Sequence, residues 1–106
     1  MAAGPKPFAL RPDARADLED IWLFTAARWS QQQADKYIAG MNAAFERISE
    51  NPNIARERSE LRPPVRVYRY GAHVLIYVDA GDHIDIIRVR HGSEDWMNDP
   101  AGTSAE

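Results

Sequence analysis

Eight side chains have the types and grouping to act on a phosphodiester: Glu57, Glu60, Arg62, Arg66, Arg69, Arg88, Arg90 and His91. Cleavage of RNA by its own 2′-hydroxyl needs a base, an acid and a cation for the phosphorane, roles that Glu, His and Arg can fill. Glu60, Arg62, Arg90 and His91 are the candidate catalytic set on that reading. Arginines on half-exposed strands equally pair with neighbouring carboxylates or sit in water. His91, just before Gly92, equally suits a structural hydrogen bond to a backbone carbonyl. Other chemistries are poorly supported. The histidines His73, His83 and His91 are scattered without partners at ligand spacing, and cysteine is absent, so neither a metal nor another cofactor is expected. There is no glycine-rich phosphate loop and no Ser or Thr in a nucleophile setting.

Charge divides the chain in two. Residues 13–50 carry Asp13, Asp17, Glu19, Asp20, Asp35, Glu46 and Glu50 against Arg15, Arg28, Lys36 and Arg47, a net −3. Residues 52–90 carry seven arginines against Glu57, Glu60, Asp79, Asp82 and Asp85, a net +2. The planar guanidinium fork suits carboxylates and phosphates, so the basic half points to an acidic partner surface or a nucleic acid.

The elements that must hold these residues follow from periodicity. Met1 to Pro7 has two prolines and a glycine and reads as a loose arm; residues 98–106 read as a small, polar, disordered tail; residues 8–97 form one domain. Phe8-Ala9-Leu10 reads as a strand. Pro12 opens a helix, where its missing N–H is no loss, and Ala14, Leu18, Ile21, Trp22, Thr25 and Trp29 mark its apolar stripe. Ser30-Gln31-Gln32-Gln33 has capping-box form and starts a second helix with Ala34, Tyr37, Ile38, Met41, Phe45 and Ile48 inward, closed by Asn51-Pro52. So short a link makes an antiparallel helical hairpin.

Val65–Tyr70, Ala72–Ala80 and His83–Arg90 then read as three strands joined by tight turns. The fold expected is α+β: β-α-α-β-β-β, an antiparallel sheet with the hairpin on one face. Alternation places Ile84, Ile86, Arg88 and Arg90 together and Asp85, Ile87, Val89 and His91 opposite. The middle strand is apolar on both sides, yet the hairpin covers only one. An open apolar groove edged by Arg58, Arg62, Arg66, Arg69 and Arg90 is therefore expected on the other, with Trp96 folding the tail back. No run approaches the ~20 apolar residues of a bilayer span. With no signal-peptide pattern before Phe8, a cytoplasmic protein is expected, independent of membranes.

Three segments carry a family likeness: Leu10-Arg11-Pro12-Asp13-Ala14-Arg15-Ala16-Asp17-Leu18-Glu19-Asp20-Ile21-Trp22, then Glu60-Leu61-Arg62-Pro63, then Arg88-Val89-Arg90-His91-Gly92-Ser93-Glu94-Asp95-Trp96. From Phe8 to about Trp96 the chain resembles the RelE/ParE superfamily of type II toxins, and ParE more than the ribonucleases. That resemblance implies inhibition of DNA gyrase and growth arrest. It also implies neutralisation by a ParD-like antitoxin, a ribbon-helix-helix protein with a disordered C-terminal segment, through which alone DNA is contacted. The alternative is a RelE-like ribosome-dependent messenger endoribonuclease. Two departures stand out. Arg11 occupies the place where ParE-like chains commonly cap the first helix with Thr or Ser, and Val74 stands where a ribonuclease would be expected to carry a strand arginine. The expected antitoxin-binding residues are the five groove arginines with outward Leu23 and Trp29.

Overall fold

The computed structural model describes residues 6–102. Its elements are β1 (Phe8–Leu10), α1 (Pro12–Arg28), α2 (Gln31–Glu50), a 3-10 turn (Pro52–Ile54), β2 (Glu57–Arg58), β3 (Val65–Tyr70), β4 (His73–Asp79) and β5 (Ile84–His91). They form one sheet in the order β1-β5-β4-β3-β2 with the helical hairpin on one face. The α+β architecture matches expectation. The sheet is mixed rather than wholly antiparallel, because β1 lies parallel to β5, Phe8 beside Ile84 and Leu10 beside Ile86. This puts both apolar residues of β1 against the core under the helices.

Local chemistry explains the helix ends. Ser30 Oγ accepts from the Gln33 N–H at 2.9 Å, which stops one helix and starts the next. At the start of α1 no side chain caps, as Arg11 foretells; its guanidinium instead pairs with Asp85 on β5 at 2.7 Å. Gly71, with φ of 57°, supplies the left-handed residue that the tight β3–β4 turn needs.

Ala14, Met41, Ala44, Phe45 and Ile48 meet Leu75, Tyr77, Ile84, Ile86 and Val89 between helices and sheet. Full burial of a side chain such as Phe45 or Met41 stabilises by roughly 1.5–3 kcal/mol. Leu18, Ile21 and Ile38 pack at the margin of this core. Trp22, expected inside it, is half-buried, and its indole N–H reaches Asp35 across the hairpin at 2.9 Å. Tyr77 is fully buried and donates to the Pro52 carbonyl at 2.8 Å, and burial raises its pKa.

The second sheet face departs from expectation. Val65, Val74, Ile76 and Ile87 form a buried cluster with Leu61 and Trp96, so among the described residues the apolar centre of that face is closed rather than open. The segments before β3 and after β5 each fold one large apolar side chain back over the sheet, Trp96 as its expected return implies, which removes that surface from water. Pro100 is buried and Ala101 packs on the same cluster. At the other end, Lys6 pairs with Asp79 at 2.8 Å and the Pro7 carbonyl accepts from Ile84, so these two residues of the expected arm are tied to the sheet. The rest of the arm and of the tail, residues 1–5 and 103–106, lies outside the described residues.

A β-bulge between β4 and β5 at Ile76/Tyr77 corrects the expected alternation: Ile84, Ile86 and Val89 face the helices, while Ile87 joins the opposite cluster. One extra residue reverses the facing of everything after it. His91 thus comes to lie opposite His73. Among the described residues, no helix is long and apolar enough to cross a membrane.

Candidate functional site

Three large apolar side chains on α1 and at its C-terminal cap stand out of the fold: Leu23 at 60% exposure, Phe24 at 67% and Trp29 at 70%. Phe24 was not singled out from the sequence. The signal was present, since Ile21 to Phe24 is four consecutive apolar residues and one helix face holds at most half of them. Beside Phe24 and Trp29 opens a cleft of about 560 Å³, walled by Ile21, Thr25, Tyr37 and Ala72 and floored at one end by His73 and His91. A smaller, polar hollow continues from the histidines past Asp17, Asp20, Arg88, Arg90 and Glu94.

The site is held from three elements. Tyr37 on α2 places its hydroxyl 2.8 Å from His73 Nδ1 on β4 and accepts from the Ala72 N–H at 3.1 Å. His73 and His91 meet edge to face with ring centroids 5.2 Å apart. Burial, and then the neighbouring His91, lower the His73 pKa, while burial raises that of Tyr37. On the α1 side, Asp17 clasps the outer edge of β5. Its oxygens accept from Arg88 Nε at 2.7 Å and Nη2 at 2.8 Å, and from the Val89 N–H at 2.9 Å. The Asp17 hydrogen bonds hold Arg88 still more firmly protonated than a free arginine. Glu94 closes the strand end, accepting from Arg90 Nε at 2.9 Å and from the His91 N–H at 3.2 Å.

The structure distributes the other arginines widely. Arg58 stacks over Trp96 at 5.8 Å, Arg66 reaches the Ala55 carbonyl on the helix side of the sheet, and Arg62 and Arg69 are exposed. Contacts do not assemble the possible catalytic set. Glu60 pairs with Arg56, Arg62 touches the Ser59 carbonyl, Arg90 is held by Glu94, and His91 Nδ1 is bound by Ser93. Backbone hydrogen bonding, and then Arg56, lower the Glu60 pKa. Among the described residues no hydrogen bond or ion pair joins Glu60 or Arg62 to Arg90 or His91, and no group of three or more His, Asp or Glu is placed to hold a metal.

A helical hairpin on a five-stranded mixed sheet, with apolar side chains left out on the first helix, defines a class. The family model for the ParE toxin of type II toxin-antitoxin system, parDE, matches residues 8–96, and the chain belongs to that family. In particular, it is similar to Toxin ParE1 of Mycobacterium tuberculosis, 40% identical over 85 residues that cover 79% of this chain and 87% of that one. It is also similar to Toxin ParE1 of Caulobacter vibrioides, 39% identical over 88 residues covering 83% and 91%. A solved structure described as "Chromosomal ParDE TA system from P. aeruginosa" shares the fold, with a TM-score of 0.71 over 84% of this chain and 98% of that one, at 18% identity. The chain is thus the toxin component of a type II toxin–antitoxin system, ParE-like in sequence.

Proposed function

We propose that this toxin works by binding rather than by catalysis, that its target is DNA gyrase in the cytoplasm, and that a ParD-like antitoxin silences it. The antitoxin is read as a ribbon-helix-helix protein whose disordered, acidic C-terminal segment folds along α1 and enters the cleft; DNA is contacted through the antitoxin alone. The observation that carries the docking surface is the exposure of Leu23, Phe24 and Trp29 beside a ligand-sized apolar cleft. A protein rarely leaves such a patch uncovered, and a segment that folds on binding covers a long surface. Exposed Arg62 and Arg69 remain in the reading as cations that orient an acidic chain. Arg58, Arg66 and Arg90 already have internal partners, which leaves them less free for that role.

Binding is favoured over messenger cleavage because the side chains that a ribonuclease would use are each engaged by their own neighbours. The target is carried by family membership, since one scaffold of this kind hosts both activities. Induction of the toxin alone should arrest growth with signs of DNA damage, and purified toxin should impair supercoiling by gyrase. Arrested translation with messenger cut on ribosomes, and gyrase unaffected, would replace this reading with the ribonuclease one. For the antitoxin, Phe24→Asp with Trp29→Asp should abolish co-purification while leaving the toxin folded. Undiminished co-purification removes α1 from the interface.

A further inference from the structure

The hydrogen bonds around the two cleft histidines engage Nδ1 of each ring. A backbone amide can only donate, and the Ser93 N–H points at His91 Nδ1 from 3.1 Å, with Ser93 Oγ at 2.7 Å. His91 Nδ1 is therefore a bare acceptor, and the ring proton sits on Nε2. Tyr37 Oη already accepts from Ala72, and its one hydrogen can serve His73 Nδ1 at 2.8 Å or the Tyr70 carbonyl at 3.4 Å. With that hydrogen on the shorter contact, His73 Nδ1 is an acceptor too. In this arrangement Nδ1 of each ring is occupied by a neighbour, and both residues line the cleft.

We propose that the cleft is a proton-gated docking site, which takes an apolar anchor from the antitoxin segment only while His73 and His91 are both neutral. The inference rests on the reading that this segment covers α1 and the cleft. Three effects have the same sign. A proton can enter either ring only at Nδ1, where it opposes the Ser93 N–H in one case and forces the Tyr37 hydroxyl toward the longer Tyr70 bond in the other. Two imidazolium ions at 5.2 Å repel. Finally, an apolar side chain seated between Ile21, Phe24, Trp29 and Tyr37 strips water from the rings and disfavours their charged forms.

The charged neighbours do not reverse this. Asp17 and Asp20 face the pair from α1, Tyr37 from α2, Tyr70 from β3, Arg88 and Arg90 from β5, and Glu94 from the following turn. Asp17 is satisfied by Arg88 and Glu94 by Arg90. That leaves Asp20, which is exposed to water and therefore screened. The lowered pKa of His73 in the free toxin agrees with this balance.

Binding below the titration range must then expel protons, and each one expelled weakens the complex about tenfold per pH unit. The test is the affinity of the purified toxin for its cognate antitoxin, by fluorescence anisotropy, from about pH 8 to about pH 5.5, a range spanning the ordinary histidine value of ~6.5. Wild type should hold a constant Kd at the alkaline end and weaken progressively toward the acid end, by up to about tenfold per unit for each proton expelled. The double variant His73→Gln/His91→Gln keeps an acceptor oxygen at both positions but cannot titrate, and its Kd should lose that slope. A flat wild-type profile, or an equal slope in the double variant, overturns the gating while leaving docking in place. Wild-type affinity in Phe24→Asp overturns docking and gating together. If the double variant fails to fold, calorimetry of wild type at about pH 6 in two buffers of different ionisation enthalpy reads the protons directly; release supports the proposal, and none or uptake defeats it.

Discussion

Replacing Asp17 with alanine should cost the toxin much of its stability. The Asp17 and Arg88 side chains are only 14% and 17% exposed, and the carboxylate also receives the Val89 amide. Removing one partner of a fully buried ion pair costs about 3–5 kcal/mol. Residual exposure on both sides argues for the lower end, about 2–3 kcal/mol. The orphaned Val89 N–H adds about 1 kcal/mol. The total is about 3–4 kcal/mol, equivalent to a fall in Tm of roughly 12–20 °C for a domain of this size. Asp17→Asn keeps an acceptor for Val89 but loses the charge, and should fall between alanine and wild type. Urea unfolding followed by circular dichroism measures all three. A loss below about 1 kcal/mol for Asp17→Ala would show that water or another side chain replaces the clasp, and the account of β5's outer edge would be wrong.

Phe45→Ala should destabilise by about 3–5 kcal/mol in the same assay, because the ring is fully buried and packs on Phe8 with centroids 5.4 Å apart. Gly40→Ala should cost about 1–3 kcal/mol, since the new methyl group would collide with the Tyr70 hydroxyl and displace a ring that packs on Tyr37. Stability should also fall in acid through His73. The unfolded chain takes up this proton near the ordinary value of about 6.5, whereas the folded site binds it only at lower pH. The contribution is complete above that ordinary value and lost as pH falls through the folded one; His73→Gln should remove this part of the pH dependence, measured by urea midpoints. Charge reversal at exposed Arg62 and Arg69 should slow antitoxin association several-fold at low salt, measured by stopped flow, with the folded state unchanged.

The elements were legible because their signals are local. Pro12, Ser30, Asn51 and the glycine turns punctuate regular apolar patterns, and the helices and long strands fall within a residue or two of the expected bounds. What escaped depends on contacts distant in sequence. Leu61 stands alone between Glu60 and Arg62, and while Trp96 reads as folding the tail back, nothing local tells that the two together close the second sheet face. The bulge after Ile86 leaves no mark in an apolar strand, so alternation groups His91 with Ile87, whereas the structure sets the two on opposite faces and His91 opposite His73. Asp17 reads in the sequence only as one acidic residue of the first half, and its partners lie 71 and 72 residues away. The candidate site therefore shifted from an arginine-edged sheet face to the outer side of α1, of which only Leu23 and Trp29 had been singled out.

The closed edge of β5 bears on how closely related toxin–antitoxin pairs in one cell could stay separate. Its outward amides at Ile84, Val89 and His91 are already given to Pro7, Asp17 and Glu94. A partner approaching along the cleft cannot recruit them into a backbone ladder without breaking those bonds. Ladder hydrogen bonds are nearly blind to sequence, whereas pockets that read side chains are not. With the generic mode of attachment occupied from within, discrimination among similar antitoxins falls to the shape and chemistry of the few side chains that reach α1 and the cleft. Two such pairs could then diverge into mutual indifference by exchanging a handful of residues, with neither fold disturbed.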